Sequence, residues 1–176
     1  MDTATSLMAK RHIFTMLDVD GDGVISRHEY LSRPERAASA MGRGGDDPRV
    51  AVARTAHERV FASMDADGDG AVTFEEYAAW AGAEAFDEVC RQALGSLFDL
   101  ADADGDGALD RAEFTRLREA LGNPADNAGP AFDALDEAAG GHGRVGRDAY
   151  LASIRSYVTE GTSPMAEALH TAAAAR

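Results

Sequence analysis

The 176-residue chain holds one cysteine, one tryptophan and a single lysine. No apolar run approaches the roughly 18 residues of a membrane span. Each scarcity excludes something. Cys90 has no partner for an internal disulfide, which fits a reducing compartment. Its neighbours Phe86, Val89 and Leu94 point to a buried, inert thiol. The N-terminal stretch lacks the apolar core of a signal peptide, and Asp2 after Met1 gives no myristoylation signal. A cytoplasmic protein is expected. His12, His28, His57, His142 and His170 form no ligand pair at helical spacing, and neither a nucleotide loop nor a nucleophile elbow occurs. No enzyme is expected. Basic residues number 17 against 31 acidic ones, and the net charge of −14 argues against nucleic acid and anionic membrane as partners.

The acids are not spread evenly. Three stretches, Asp18–Glu29, Asp65–Glu76 and Asp102–Glu113, share one pattern. Asp stands at positions 1, 3 and 5 (Asp18, Asp20, Asp22; Asp65, Asp67, Asp69; Asp102, Asp104, Asp106). Gly23, Gly70 and Gly107 fill position 6, an aliphatic fills position 8, and Glu29, Glu76 or Glu113 closes at 12. This is the order in which an EF-hand loop presents oxygen to calcium. A hard cation takes about six to eight oxygens at about 2.3–2.6 Å, so the backbone must curl around it. The glycine permits the positive φ of that curl. The carbonyls of Val24, Ala71 and Ala108 at position 7 are expected to add an oxygen, and each glutamate to give two.

Position 9 holds Ser26, Thr73 or Asp110, residues that cap helices and stand three before the closing Glu. Each loop should therefore end by starting a helix that carries its glutamate. Phe14, Phe61 and Phe98 precede the loops at one fixed distance, and Tyr30, Tyr77 and Phe114 follow at position 13. These flanks separate the pattern from an acidic Gly-rich turn. Three Ca²⁺ ions are expected, and they would reduce the charge from −14 to −8. Asp110 gives the third loop an extra acid, so that loop is expected to bind tightest and Asp110→Ser to weaken it selectively.

Between the loops, helical patterns run over 4–17 (Leu7, Ile13, Phe14, Leu17) and over Pro48–Met64 (Val52, Ala56, Val60, Phe61, Met64 inward), the latter capped by Asp47. Pro34 should kink or end the exit helix of the first hand. Asp18 to Asp65 spans 47 residues and Asp65 to Asp102 only 37, so about ten are inserted, and the Gly-rich stretch 42–47 is the expected place for them, as a surface loop or as a partner-contact loop. The connection 77–90 is apolar, so the two halves should pack together, with Trp80 in the shared core. The third hand's helix, Arg111–Leu121, should stop at Gly122, and the next begin at Gly129-Pro130 with Phe132 and Leu135 inward. There the ligand pattern fails. Counting from Asp136 puts Ala138, Gly140 and Arg147 at positions 3, 5 and 12; counting back from Val145 and Tyr150 puts Ala138, Gly140, His142 and Ala149 at 1, 3, 5 and 12. Neither register makes a cage, which indicates about two inserted residues and lost ligands. Pairing of position 8 residues, Ile25 with Val72 and Leu109 with Val145, explains why the fourth hand persists. Its helix should cover Arg147–Val158.

The expected fold is all-α, with four hands in two pairs forming one compact body, and short two-stranded ribbons between paired loops. Residues 1–82 form the first pair, 83–160 the second, and 161–176 a tail, read either as a short docking helix with Met165 and Leu169 on one face or as a frayed Ala-rich end. The chain resembles the calerythrin-like bacterial branch of the sarcoplasmic calcium-binding proteins, through its four hands, lengthened first connection, apolar middle and one degenerate loop. That resemblance implies a compact cytosolic calcium buffer with high-affinity sites that often also admit Mg²⁺; a monomer is expected. The alternative is a sensor that exposes an apolar surface or releases its tail to a protein target. Residues 65–164 contain no methionine, so a Met-rich groove would have to come from Met8, Met16 and Met64.

Overall fold

Helix caps and ribbon positions set the frame. The computed structural model describes residues 3–122 and 125–163. Helix α1 (Thr3–Leu17) enters the first loop; β1 (Val24–Ser26) leaves it, followed by α2 (Arg27–Leu31) and α3 (Arg33–Ala40). Helix α4 (Pro48–Met64), β2 (Ala71–Thr73) and α5 (Phe74–Trp80) make the second hand. A short α6 (Ala83–Ala85) and a π-helical turn (Phe86–Cys90) lead into α7 (Arg91–Ala101), β3 (Ala108–Leu109) and α8 (Arg111–Ala120). The fourth hand is α9 (Ala125–Ala138), β4 (Val145–Gly146) and α10 (Arg147–Glu160). The expected docking helix at 165–174 lies outside the described residues.

Both ribbons form in the expected register. Ile25 lies opposite Val72 and Leu109 opposite Val145, antiparallel in each case. All four side chains are fully buried. Pro34 ends the first exit helix early: the chain breaks at Ser32 and restarts with proline in the first turn of α3, where its missing N–H costs nothing. Asp47 caps α4 by accepting from the N–H of Arg49 at 2.9 Å.

The core has two main centres, and each draws on both halves of the chain. Around Phe14, Ile25, Tyr30, Phe61, Val72 and Tyr77 of the first two hands sits Ala93 from α7. Around Leu97, Phe98, Leu109, Phe114, Leu117 and Tyr150 of the last two sit Ala37 and Ala38 of α3 and Val50 and Ala53 of α4. Phe114 packs edge-on to Phe132 and Tyr150, with ring centres 5.5 and 6.1 Å away. Each such large side chain stabilises the fold by about 1.5–3 kcal/mol. Polar ties cross the same boundary: Arg43 Nη2 donates to the carbonyl of Asp102 at 3.3 Å, and Arg59 Nη1 donates to Gln92 Oε1 at 3.1 Å.

Four expectations are corrected. The extra length between the first two hands lies largely in α3, which runs to Ala40 and packs against α4, α7 and α8; the stretch 42–47 takes the remainder. Even there Arg43 is anchored, donating from Nε to the carbonyl of Leu100 at 2.9 Å. Val52 is 57% exposed and Leu7 50%, while Val50, Ala53 and His57 face inward instead. Trp80 sits at the core's edge because Tyr77 takes the inner position, and its indole N–H finds an acceptor outside, Ser63 Oγ at 2.7 Å. Finally, α9 begins at Ala125, so Pro130 lies inside it; Ala128 and Ala131 are buried on its inner face beside Phe132 and Leu135.

Candidate metal centres

Each acidic loop is wound on its first aspartate. The N–H of Gly23, Gly70 and Gly107 donates to Asp18, Asp65 and Asp102 at 2.9, 3.0 and 2.9 Å. Those glycines take φ of 96°, 85° and 81°, as expected at position 6. Position 4 needs the same freedom: Gly21, Gly68 and Gly105 all stand at φ 71°. That second glycine was not singled out in the sequence, although the run Asp-Gly-Asp-Gly prints it. At position 5, Asp22, Asp69 and Asp106 each accept from the residue two further on, at 3.0, 2.9 and 2.9 Å.

The loops end as the capping pattern requires. Ser26 Oγ, Thr73 Oγ1 and Asp110 Oδ1 accept from the N–H of Glu29, Glu76 and Glu113, and each glutamate returns a bond to the cap's own N–H. The closing carboxylates are thus fixed in the first helical turn. Glu29 also accepts from Asp20 N at 3.1 Å, and Glu113 from Ala103 N at 3.0 Å, folding each glutamate back over the start of its loop. Val24, Ala71 and Ala108 open the ribbon strands.

Three sets of carboxylates result. Oxygens of Asp18, Asp20 and Asp22 lie within 4.8 Å of one another, as do those of Asp65, Asp67 and Glu76, and those of Asp102, Asp104 and Glu113. Asp69, Asp106 and Glu29 stand outside these tightest groups. The crowding shows in the acidities. The hydrogen bond from Asp22 N lowers the carboxyl of Asp20, but burial and the charges of Asp22 and Glu29 outweigh it and leave the group above its usual range. Asp67 is raised the same way, by burial and by Asp69 and Glu76 against the bond from Asp69 N. Burial raises Glu29, yet the N–H donors of Ser26 and Asp20 win and hold it low. A site that gathers only hard oxygen donors suits a divalent cation with a preference for oxygen.

The sequence matches the EF-hand domain pair over residues 8–82 and the EF hand over 94–117. The chain belongs to the EF-hand family. No curated protein matches it significantly. Among solved structures, this EF-hand chain is similar to a Streptomyces coelicolor calcium-binding protein from work on prokaryotic calcium-mediated regulation. The two share 27% identity at a TM-score of 0.74, covering 88% of this chain and 98% of that one. That likeness agrees with the calerythrin-like placement. The fold is shared with the calcium-loaded apo coelenterazine-binding protein of Renilla muelleri (23% identity, TM-score 0.66, 94% of each chain). Apo-aequorin in complex with (S)-HM-daCTZ shares it too (20% identity, TM-score 0.74, 96% and 91% covered). It is a calcium-binding EF-hand protein.

The fourth EF-hand loop closes without a cage. Asp136 Oδ1 accepts from Gly143 N at 2.8 Å, the bond that position 1 makes to position 6 in the other three, here across two more residues. Gly146 starts α10 with no side-chain cap. His28 and His142 are exposed. Cys90 is half-buried among Tyr30, Tyr77 and Arg33; burial pushes its thiol up to about 12, against the lowering effect of Arg33, so it is inert at neutral pH. Sequence reasoning passed over one residue at the sites. Arg144 of the fourth loop pairs with Asp106 and lies 3.9 Å from Asp104.

Proposed function

We propose that the protein is a cytoplasmic calcium buffer with three sites, working as a monomer with neither nucleic acid nor membrane as partner. The first would be held by Asp18, Asp20, Asp22, Val24, Ser26 and Glu29; the second by Asp65, Asp67, Asp69, Ala71, Thr73 and Glu76. The third would use Asp102, Asp104, Asp106, Ala108, Asp110 and Glu113, with Mg²⁺ competing at all three. Residues 1–82 and 83–160 act as its two pairs and 161–176 as a tail. The observation that supports the buffer reading is the shared core: Met64 is 1% exposed, and Ala37 and Ala38 are buried in the core centre of the third hand, so among the described residues these apolar side chains are already covered from within the chain. No helix among the described residues is long and apolar enough to cross a membrane.

A sensor is the second reading. Leu7 and Met8 are each 50% exposed, side by side on α1, and the Streptomyces protein it resembles is described in terms of calcium-mediated regulation. Titration calorimetry beside an apolar-dye assay separates the two. Three equivalents of bound calcium with falling dye emission support the buffer; rising emission supports the sensor. Trp80 adds a local report, because it lines one surface hollow together with Glu76. Its emission should change as the second loop fills, and Glu76→Gln should abolish that change and remove one equivalent of calcium. Three equivalents retained in that variant would remove Glu76 from the ligand set.

A further inference from the structure

The fourth loop has lost its ligands and yet carries a positive charge to its neighbour's. Its bond from Gly143 N to Asp136 closes the turn, and the next residue is Arg144. One step further, Val145 pairs with Leu109 across the ribbon, which places residue 144 beside the third loop. There the guanidinium pairs through Nη1 with Asp106 Oδ2, and Nη2 stands 3.9 Å from Asp104 Oδ2. These are positions 5 and 3 of the loop. Among the described residues, no other ion pair involves a proposed ligand; Arg27, inside the first loop, pairs outward with Glu58 at 3.6 Å.

We propose that Arg144 is a tethered cation that competes with calcium for the third site and sets its affinity. This rests on reading Asp102–Glu113 as a calcium site. A carboxylate that bonds a guanidinium is a poorer donor to a metal, and the metal must bind against the positive charge already there. The extra acid of the third loop, Asp110, is therefore opposed by Arg144, and its added charge does not by itself make this the tightest site. The ion-free fourth hand thus does more than cover its partner: it tunes its partner's site. Coulomb's law in a water-like dielectric makes one positive charge about 6 Å from a divalent ion worth about tenfold in affinity, less at high salt. Arg144 is 47% exposed, so its replacement leaves the core intact.

The amide protons of the position-6 glycines report the loops one by one, because each donates to the first aspartate of its own loop, Gly107 to Asp102 at 2.9 Å. In a calcium titration followed by NMR, R144Q should move the Gly107 midpoint to about tenfold lower calcium while Gly23 and Gly70 keep theirs. R144K, which keeps the charge, should stay near wild type. An unchanged or weakened Gly107 midpoint in R144Q overturns the proposal, as does an R144K protein that behaves like R144Q. If Gly107 of the wild type ignores calcium altogether, the third site itself is refuted and the proposal falls with it.

Discussion

Stripping calcium with a chelator should lower the melting temperature by about 15–30 °C, the largest change expected of any single treatment. The cause is the crowding in the loops, where three carboxylate oxygens converge within 4.8 Å in each set. Without an ion their repulsion opposes the folded state; with one, the repulsion is removed and binding favours only the folded chain. At free calcium about a hundredfold above Kd each site contributes about 2.7 kcal/mol, so three contribute about 8 kcal/mol. For a chain of this length about 1 kcal/mol moves the midpoint by about 2–4 °C. Differential scanning calorimetry in low salt, with excess calcium and with chelator, measures the gap. Midpoints within a few degrees of each other would show that the loops are stable without their ions and that binding and folding are not linked here.

Acid should weaken the calcium-loaded protein through His57 before it protonates most carboxylates. The ring is wholly buried in α4, its Nδ1 bonded to the carbonyl of Ala53 at 2.8 Å and its face 5.2 Å from that of Tyr30. Nε2 has no partner. Burial first, and then the charge of Arg33, push its pKa down to about 3, while the Ala53 carbonyl opposes them weakly. Folded, the ring stays neutral; unfolded, it takes a proton below about 6.5. The stability of the neutral ring is therefore complete above that value and is lost as pH falls from about 6.5 toward 3. The slope approaches about 1.4 kcal/mol per pH unit, which gives about 2 kcal/mol between pH 6.5 and 4.5. His57→Phe keeps an aromatic ring against Tyr30 and cannot titrate. In urea unfolding at saturating calcium, the variant should gain on wild type by that amount between the two pH values. A difference between the proteins that does not move with pH would place the acid sensitivity elsewhere.

The parts that could be read before any coordinates share one property: they are local. Asp at 1, 3 and 5, the cap at 9 and the glutamate at 12 act within a dozen residues, and the capping boxes form as spelled. Ile25, Val72, Leu109 and Val145 were placed by the position-8 rule, and the ribbons follow it. What resisted reading was set by neighbours. In α4 both Val52 and Ala53 fit a helical stripe, and the choice fell to Ala53 because α3 and α7 close over that side. Alanine is the recurring reason: Ala9, Ala37, Ala38, Ala53 and Ala93 are core residues that no hydrophobic pattern marks as such. Arg144 was within reach. Pairing Leu109 with Val145 already places it beside the third loop, but a residue in a loop without ligands drew no attention to what it faced.

Ala37 and Ala38, at the end of the first hand's exit helix, fill space among Leu97, Phe114 and Leu117 of the third. The seam between the two pairs is therefore filled from both sides. A chain divided there would leave the second pair with a hole where two alanines had been, so neither half keeps its packing without the other.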